Sequence, residues 1–163
     1  MGYGLKMTPH KTLILLRQAD EVLLGSKKRG FGMGKVVAPG GGVEIGETAL
    51  EAAVREAQEE VGLTPLEPKL CAELHFIFPE RSDWTMRVSV FCAELCMGEL
   101  SESDELAPRW YKVDALPFED MWIDAPQWLP QVLAGQFVEA EFVYAGEGSS
   151  LLKTEVSMKG SKG

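Results

Sequence analysis

The chain has 163 residues, of which 45% are hydrophobic, and its formal net charge is −9. This length and apolar fraction predict one compact domain with a proper core. The negative charge argues against wrapping a nucleic-acid polymer, because that binding mode relies on a basic surface. A small phosphorylated ligand stays open, since a metal ion and a few local cations can offset the repulsion.

The compartment is predicted from what the sequence lacks. No apolar run is long enough to span a bilayer, and the opening residues MGYGLKMTPHK lack the apolar core of a signal peptide. We therefore expect a cytoplasmic protein that is not bound to membranes. We also expect a monomer, although no sequence feature specifies the oligomeric state. The cysteines Cys71, Cys92 and Cys96 lack metal-site spacing and are odd in number, which predicts reduced strand or core residues.

The first part of the chain predicts short strands joined by glycine-rich loops. Residues 11–17 and 21–24 suggest a hairpin, and residues 36–38 suggest another strand. The stretch KKRGFGMGK between them is the densest cationic cluster, and it fits either a phosphate contact or a plain irregular loop. The glycines at 40–42 would let a ligand or metal approach the backbone closely.

The segment 41–63, GGVEIGETALEAAVREAQEEVGL, contains the most sharply bounded helix. Thr48 and Glu51 form a capping box, and Gly62 fits a helix C-cap, so the helix is predicted over 49–61. Its apolar residues form one stripe that defines the core face: Leu50, Ala53, Val54, Ala57 and Val61.

Three glutamates share one flank of this helix. Glu56 and Glu60 lie at the edge of the apolar stripe, and Glu59 lies further toward solvent. Like-charge repulsion disfavours such a cluster in a purely structural helix, and a divalent cation would remove the conflict. Arg55 is placed to bridge to Glu51 and Glu59 as a supporting contact. The alternative is an exposed helix with solvated charges.

The second half of the chain predicts three more strands, a helix and a final strand. The strands cover 69–78, 85–96 and 109–113, and the helix covers 125–134, with Asp124 and Gln127 as its cap. The sequence FVEAEFVY supplies the last strand. Strands on both sides of one long helix indicate an α+β fold or an αβα sandwich. We expect a single domain over 1–146 and a C-terminal strand or tail over 147–163, with a disordered end.

The helix segment also fits a longer pattern, G-x5-E-x7-R-E-U-x-E-E-x-G-U, in which U is a bulky apolar residue. It runs through Gly41, Glu47, Arg55, Glu56, Glu59, Glu60, Gly62 and Leu63, with Ala57 smaller than the ideal. This resembles the Nudix box, the signature of metal-dependent hydrolases that act on nucleoside diphosphates linked to another group. The resemblance implies a Nudix αβα sandwich with a mixed central sheet.

Further stretches resemble the MutT-type Nudix enzymes that remove oxidised purine nucleotides. They are VLLGSKKRGFGMGK, ESDEL and PRWYKVDALPFEDMW. The likeness implies hydrolysis of triphosphates such as 8-oxo-dGTP to the monophosphate and pyrophosphate, with Mg²⁺ or Mn²⁺ as cofactor and a small nucleotide as substrate. It implies metal ligation by Glu56, Glu59, Glu60, the backbone oxygen of Gly40, and Glu105, with Arg55 completing the catalytic set.

The same resemblance places a substrate pocket outside the helix. The implied residues are Thr12, Lys27, Phe31, Val37, Gly41, Gly42, Phe76, Phe78, Trp122 and Asp124. Aromatic faces suit a purine ring. The alternatives are sheet packing for Phe76 and Phe78 and a plain helix cap for Asp124.

Two positions depart from the pattern that reads 8-oxoguanine. Val37 stands where those enzymes have asparagine, and Ala125 where they have a second aspartate. Each lost polar group removes discrimination of about 1 to 3 kcal/mol. Another substrate therefore stays open: a dinucleoside polyphosphate, a nucleotide sugar or a modified pyrimidine triphosphate. A non-catalytic nucleotide-binding module is disfavoured, because no acid of the box is missing.

Overall fold

The structure is a computed structural model that describes residues 8–160. Its strands are β1 (His10–Gln18), β2 (Glu21–Lys27), β3 (Val36–Val37), β4 (Gly40–Gly42), β5 (Leu63–Leu66), β6 (Lys69–Ile77), β7 (Met86–Ala93), β8 (Leu95–Gly98), β9 (Leu106–Lys112), β10 (Phe137–Ala145) and β11 (Ser150–Lys159). Its α-helices are α1 (Ala49–Val61) and α2 (Leu129–Leu133). Short 3-10 turns lie at Ser82–Trp84, Phe118–Asp120 and Ala125–Gln127. No helix in this described part is long and apolar enough to cross a membrane.

The strands form one large mixed sheet and one small one. The large sheet has the order β11-β10-β6-β7-β1-β2-β3, with β4 paired to β1 and β9 paired to β2. The pairs β1–β7 and β10–β6 are parallel, and the hairpin β1–β2 is antiparallel. Strands β5 and β8 pair separately. The predicted mixed sheet is therefore confirmed.

Residues along β1 alternate between two cores, which places a helix on each face of the sheet. Ile14 and Leu16 pack in the core that contains Ala53 and Ala57 of α1. Leu15 packs in the other core, which contains Leu129 of α2. This alternation is the strand period of two, and it confirms the α+β sandwich.

Helix α1 begins and ends where the sequence predicts. The Thr48 side chain accepts from the backbone of Glu51, the Glu51 side chain accepts in return from the backbone of Thr48, and Gly62 closes the helix at φ 75°. The predicted apolar stripe is wrong at one position, because Leu50 is 41% exposed while Ala52 is fully buried. The first turn of the helix points Leu50 away from the sheet.

The capping box gives a direct stability prediction. Thr48→Ala removes the side-chain oxygen that accepts from the Glu51 N–H at 3.0 Å. We expect the free energy of unfolding to fall by about 1 kcal/mol. Urea denaturation of the variant and the parent protein measures the difference, and Thr48→Ser, which keeps the hydroxyl, restores most of it.

The predicted continuous helix over 125–134 is wrong. The segment is a 3-10 turn followed by the short helix α2, and the two are separated at Trp128, whose backbone has φ −137° and ψ −34°. Pro130 has no N–H and cannot donate to the carbonyl of Pro126, so one α-helix cannot run through both prolines. Gly135 closes the segment as expected, with φ 96°.

The predicted strand over 85–96 divides in two. Strand β7 stays in the large sheet, and β8 leaves it to pair antiparallel with β5, with Leu63 opposite Gly98. The approach is close, because a Cβ on Gly98 would lie 2.5 Å from the carbonyl oxygen of Gly62. The sequence predicts no strand at the position of β5.

The C-terminal segment adds a full strand to the sheet. Strand β11 pairs antiparallel with β10 along its length, from Phe137 opposite Lys159 to Ala145 opposite Ser150. The alternative of a tail is therefore wrong for 150–159, and the end expected to be disordered, from 161, lies outside the described residues. The three cysteines are free, as expected, although the Sγ atoms of Cys71 and Cys92 lie 2.6 Å apart across β6 and β7.

Candidate active site

The glycine strand β4 lies between β1 and helix α1. A Cβ on Gly40 would come within 2.0 Å of the carbonyl oxygen of Thr12, and one on Gly41 would lie 2.4 Å from Oε2 of Glu56. The close backbone approach predicted for these glycines is present, and in the structure it is made to β1 and to Glu56. Only glycine leaves room for the Glu56 carboxylate here.

Gly41→Ala tests this approach with little risk to folding. The added methyl meets a carboxylate at the end of a side chain, which can move, so we expect a near-native melting temperature. We expect activity to fall at least about tenfold, because the displaced carboxylate leaves its place beside Glu60. Gly42→Ala is the comparison, since its methyl would meet no atom within 4 Å and should cost much less.

Arg55 holds three acidic side chains of the segment 41–63 in place. Its guanidinium contacts Oε2 of Glu47 at 2.7 Å, Oε1 of Glu56 at 2.6 Å and Oε1 of Glu59 at 3.3 Å, and it donates to the carbonyl of Gly42 at 3.0 Å. Hydrogen bonding from Arg55 lowers the pKa of Glu47 to about 2. The predicted bridge from Arg55 to Glu51 is absent, because Glu51 completes the capping box instead.

Glu60 is the most deeply placed acid of the helix. Glu60 is 7% exposed, and it lines a cavity that also contains several of the predicted substrate residues. Burial and the neighbouring Glu56 raise the pKa of Glu60 to about 9, while a backbone hydrogen bond at Gly40 and the charge of Lys27 oppose the shift. Two adjacent carboxyls with too little positive charge around them are a donor set that fits a hard divalent cation.

The other two predicted carboxylate ligands lie apart from this pair. The Glu59 side chain is 58% exposed and turns toward Arg55. Glu105 forms an ion pair with Arg29 at 2.7 Å. Within residues 8–160, no group of three or more His, Cys, Asp or Glu side chains is arranged to hold a metal ion. The structure therefore brings Glu56 and Glu60 together, with Glu56 paired to Arg55, and it leaves Glu59 and Glu105 in more exposed ion pairs.

The cavity beside Glu60 extends across the face of the sheet. It is lined by every predicted substrate residue except Gly42: Thr12, Lys27, Phe31, Val37, Gly41, Phe76, Phe78, Trp122 and Asp124. Gly40 and Ala125 also line it. The hydroxyl of Thr12 is already used, because it donates to the carbonyl of Ser89 at 3.2 Å. One cavity thus joins Glu60 to the aromatic side chains.

The cationic cluster before β3 contributes one cation, Lys27, to this cavity. Lys28 pairs with Glu102 at 2.6 Å, and Arg29 pairs with Glu105. Lys27 lines the cavity, where it is joined by Lys11, whose pKa is lowered by burial and by Lys27. Of the cluster residues Lys27, Lys28 and Arg29, only Lys27 is placed to contact a ligand in this cavity.

Aromatic rings form the far end of the cavity. Phe31 stacks on Trp122 with centroids 5.2 Å apart, and Phe78 stacks on Tyr144 at 5.0 Å. Phe76 stacks on Phe142 at 5.7 Å, so the sheet-packing alternative holds for it in part, although it also lines the cavity. These flat apolar walls suit a planar ring.

Asp124 is the buried carboxyl at this end, with 4% exposure. Its Oδ2 accepts from Trp128 Nε1 at 2.8 Å, and its Oδ1 accepts from the Tyr144 hydroxyl. Burial raises the pKa of Asp124, and the two hydrogen bonds oppose that shift. The helix-cap alternative is wrong, since its side chain makes no cap hydrogen bond. Sequence reasoning missed Trp128, which lies four residues from Asp124, and Tyr144, whose contact depends on the position of β10 in the sheet.

Comparison with known proteins decides the family. Residues 7–132 match the model of the NUDIX domain. The chain belongs to the Nudix family of hydrolases. This Nudix chain is 42% identical over 135 residues to a Danio rerio protein named oxidized purine nucleoside triphosphate hydrolase, covering 83% of this chain and 86% of that one. A Mus musculus protein of the same name is 41% identical over 125 residues, covering 75% and 78% of the two chains.

A solved structure supports the same fold. The MutT protein of Bacillus halodurans superposes on this Nudix chain with a TM-score of 0.79 at 28% identity. The superposition covers 91% of this chain and 97% of the other. The architecture of sheet, box helix and opposite helical layer is thus that of a Nudix hydrolase.

Proposed function

We propose that this enzyme hydrolyses oxidised purine nucleoside triphosphates such as 8-oxo-dGTP to the monophosphate and pyrophosphate, and so removes damaged precursors before DNA synthesis. The names of the Danio rerio and Mus musculus relatives support the substrate class. The observation that carries the proposal is the single cavity that runs from Glu60 to the rings of Phe31 and Trp122. It is suited to a triphosphate at one end and a purine at the other.

In this proposal the box acids hold Mg²⁺, with Mn²⁺ as a substitute. Glu56 and Glu60 are the central ligands, and Glu59, Glu105 and the backbone oxygen of Gly40 complete the set as side chains leave their ion pairs. When bound, the cation polarises phosphoryl oxygens and activates the attacking water. The raised pKa of Glu60 supports the assignment, because that carboxyl lacks a positive partner.

The remaining residues orient the substrate. Arg55 fixes Glu56 and Glu47 through hydrogen bonds of 2.6 and 2.7 Å, which holds the carboxylates in place during the reaction. Lys11 and Lys27 supply positive charge along the path to the base, where phosphate oxygens need it. We further propose that the enzyme acts as a monomer, and we treat 1–146 with β11 as one domain.

A second candidate is another nucleoside diphosphate derivative. Val37 and Ala125 line the base end of the cavity and offer no polar side-chain atom to a base edge. A site without such groups discriminates less between bases. This observation favours a broader substrate range than that of an enzyme built to read 8-oxoguanine alone.

A turnover screen separates the two candidates. Pyrophosphate and phosphate release are measured with Mg²⁺ on 8-oxo-dGTP, 2-oxo-dATP, the ordinary dNTPs and dinucleoside polyphosphates. The proposal predicts the highest kcat/KM for an oxidised purine triphosphate, whereas equal rates on all would refute a sanitising role. Installing the missing groups in Val37→Asn with Ala125→Asp is expected to raise the preference for 8-oxo-dGTP over dGTP by about tenfold.

A further inference from the structure

Asp124 is held by two hydrogen-bond donors that come from different elements. Trp128 donates its indole N–H to Oδ2 at 2.8 Å from the segment that leads into α2. Tyr144, which lies on β10, donates a hydrogen bond from its hydroxyl to Oδ1. The carboxyl is 4% exposed and lines the base end of the cavity. Because each of its oxygens accepts a hydrogen bond, the buried Asp124 carboxyl is held in one orientation.

The direction of the Tyr144 hydrogen bond follows from a third contact. The backbone N–H of Asp124 donates to the Tyr144 hydroxyl oxygen at 3.2 Å. Since the Tyr144 oxygen already accepts this hydrogen bond, the hydrogen of the Tyr144 hydroxyl is directed toward Oδ1 of Asp124. The indole N–H of Trp128 has no acceptor capacity. Both oxygens of Asp124 are therefore acceptors for protein donors, and two such bonds favour the ionised carboxylate.

We propose that Tyr144 is a positioning residue that fixes Asp124 as a hydrogen-bond acceptor for an N–H edge of the bound base. The inference rests on the proposed function, because it takes the base end of the cavity as the base-binding site. It selects purines of the guanine type, whose N1–H and exocyclic N–H₂ form adjacent donors. Val37 and Ala125 add no polar side-chain atom there, so Asp124 carries the choice.

Among the groups around Asp124, Tyr144 is the partner whose removal most changes the protonation of the carboxyl. The other charged or titratable side chains that line the cavity are Lys11 of β1, Lys27 of β2 and Glu60 of α1. The pKa of Asp124 is raised by burial, and the hydroxyl of Tyr144 is the larger of the two side-chain effects that oppose it. Without this hydroxyl, the carboxyl retains a proton to higher pH and presents an O–H donor instead of an acceptor.

Tyr144→Phe tests the proposal, because it keeps the ring that stacks on Phe78 at 5.0 Å and removes only the hydroxyl. Dissociation constants are measured by calorimetry from pH 5 to 9 for 8-oxo-dGMP and 8-oxo-dAMP, which differ in the base edge. We expect the preference for 8-oxo-dGMP to fall about tenfold at pH 7. We also expect the acid limb of its binding curve to move up by about one pH unit.

Three comparisons make the result decisive. Tyr111→Phe, on β9 outside the cavity, should leave both curves unchanged. Trp128→Phe removes the other donor and should shift the acid limb in the same direction, which keeps the test open should Tyr144→Phe fail to fold. Unchanged base preference and pH dependence in a folded Tyr144→Phe protein would overturn the inference. Product binding needs no turnover, so this result is independent of whether the wild-type protein hydrolyses triphosphates.

Discussion

Glu60→Gln is expected to lower kcat on 8-oxo-dGTP at saturating Mg²⁺ by about a thousandfold or more. Glu60 lies beside Glu56 at the cavity wall, and its buried carboxyl is short of positive charge. The amide has the same size but cannot carry the negative charge that a cation needs, and loss of metal-based stabilisation costs several kcal/mol of barrier. Steady-state kinetics over a Mg²⁺ titration measure the effect.

The same substitution has an informative effect on stability. Burial and Glu56 favour the protonated form of Glu60 in the metal-free protein, so the neutral amide keeps the same charge at neutral pH. The metal-free Glu60→Gln protein should therefore melt at or above the temperature of the parent. Glu51→Gln on the same helix is the control, since glutamine preserves the capping box and the side chain lies outside the cavity. Full activity in Glu60→Gln would remove Glu60 from the metal set.

Arg55→Ala is expected to lower kcat/KM by about a hundredfold without loss of the fold. The guanidinium joins Glu47, Glu56 and Glu59, and it also ties the carbonyl of Gly42 to the helix. Its removal frees the Glu56 carboxylate and leaves several acids unbalanced, and such supporting contacts typically matter 10- to 100-fold in a metal site.

The Mg²⁺ dependence distinguishes this role from direct contact with phosphate. If Arg55 acts by holding the carboxylates, the variant needs more Mg²⁺ for half-maximal activity, and high Mg²⁺ recovers part of the rate. Arg109→Ala is the matched control, because its guanidinium lies over Tyr111 on β9, away from the box. A loss in kcat/KM with an unchanged Mg²⁺ requirement would contradict a supporting role.

Local signals explain what could be predicted from the sequence. Helix α1 is bounded by Thr48, Glu51 and Gly62, and each of these acts within a few residues of its own position, so its limits were predictable. The spacing of Glu56 and Glu60 placed both acids on one edge of the helix, and the structure confirms that they are neighbours, with Glu60 buried at the cavity. Pro130 marks the break at Trp128, but the capping pair of Asp124 and Gln127 indicated one helix over 125–134.

Contacts between distant segments explain what could not be predicted. Strand β11 pairs with the edge of the sheet at β10. The composition of residues 147–163 fits a strand or a tail and does not specify that partner. The bond between Tyr144 and Asp124 joins residues 20 positions apart, and it depends on the register of β10 beside β6. Likewise, the ion pair between Arg29 and Glu105 needs β2 to lie next to β9.

Turnover of 8-oxo-dGTP compared with dGTP decides whether this Nudix chain is a Mg²⁺-dependent hydrolase for oxidised purine triphosphates. The kcat/KM for each nucleotide is determined by pyrophosphate release, with Mg²⁺ and with a chelator, and the nucleotide product is identified. We expect 8-oxo-dGMP and pyrophosphate as products, a clear preference for the oxidised base, and no turnover with the chelator. Metal-independent turnover, or equal kcat/KM for the two nucleotides, would refute this function.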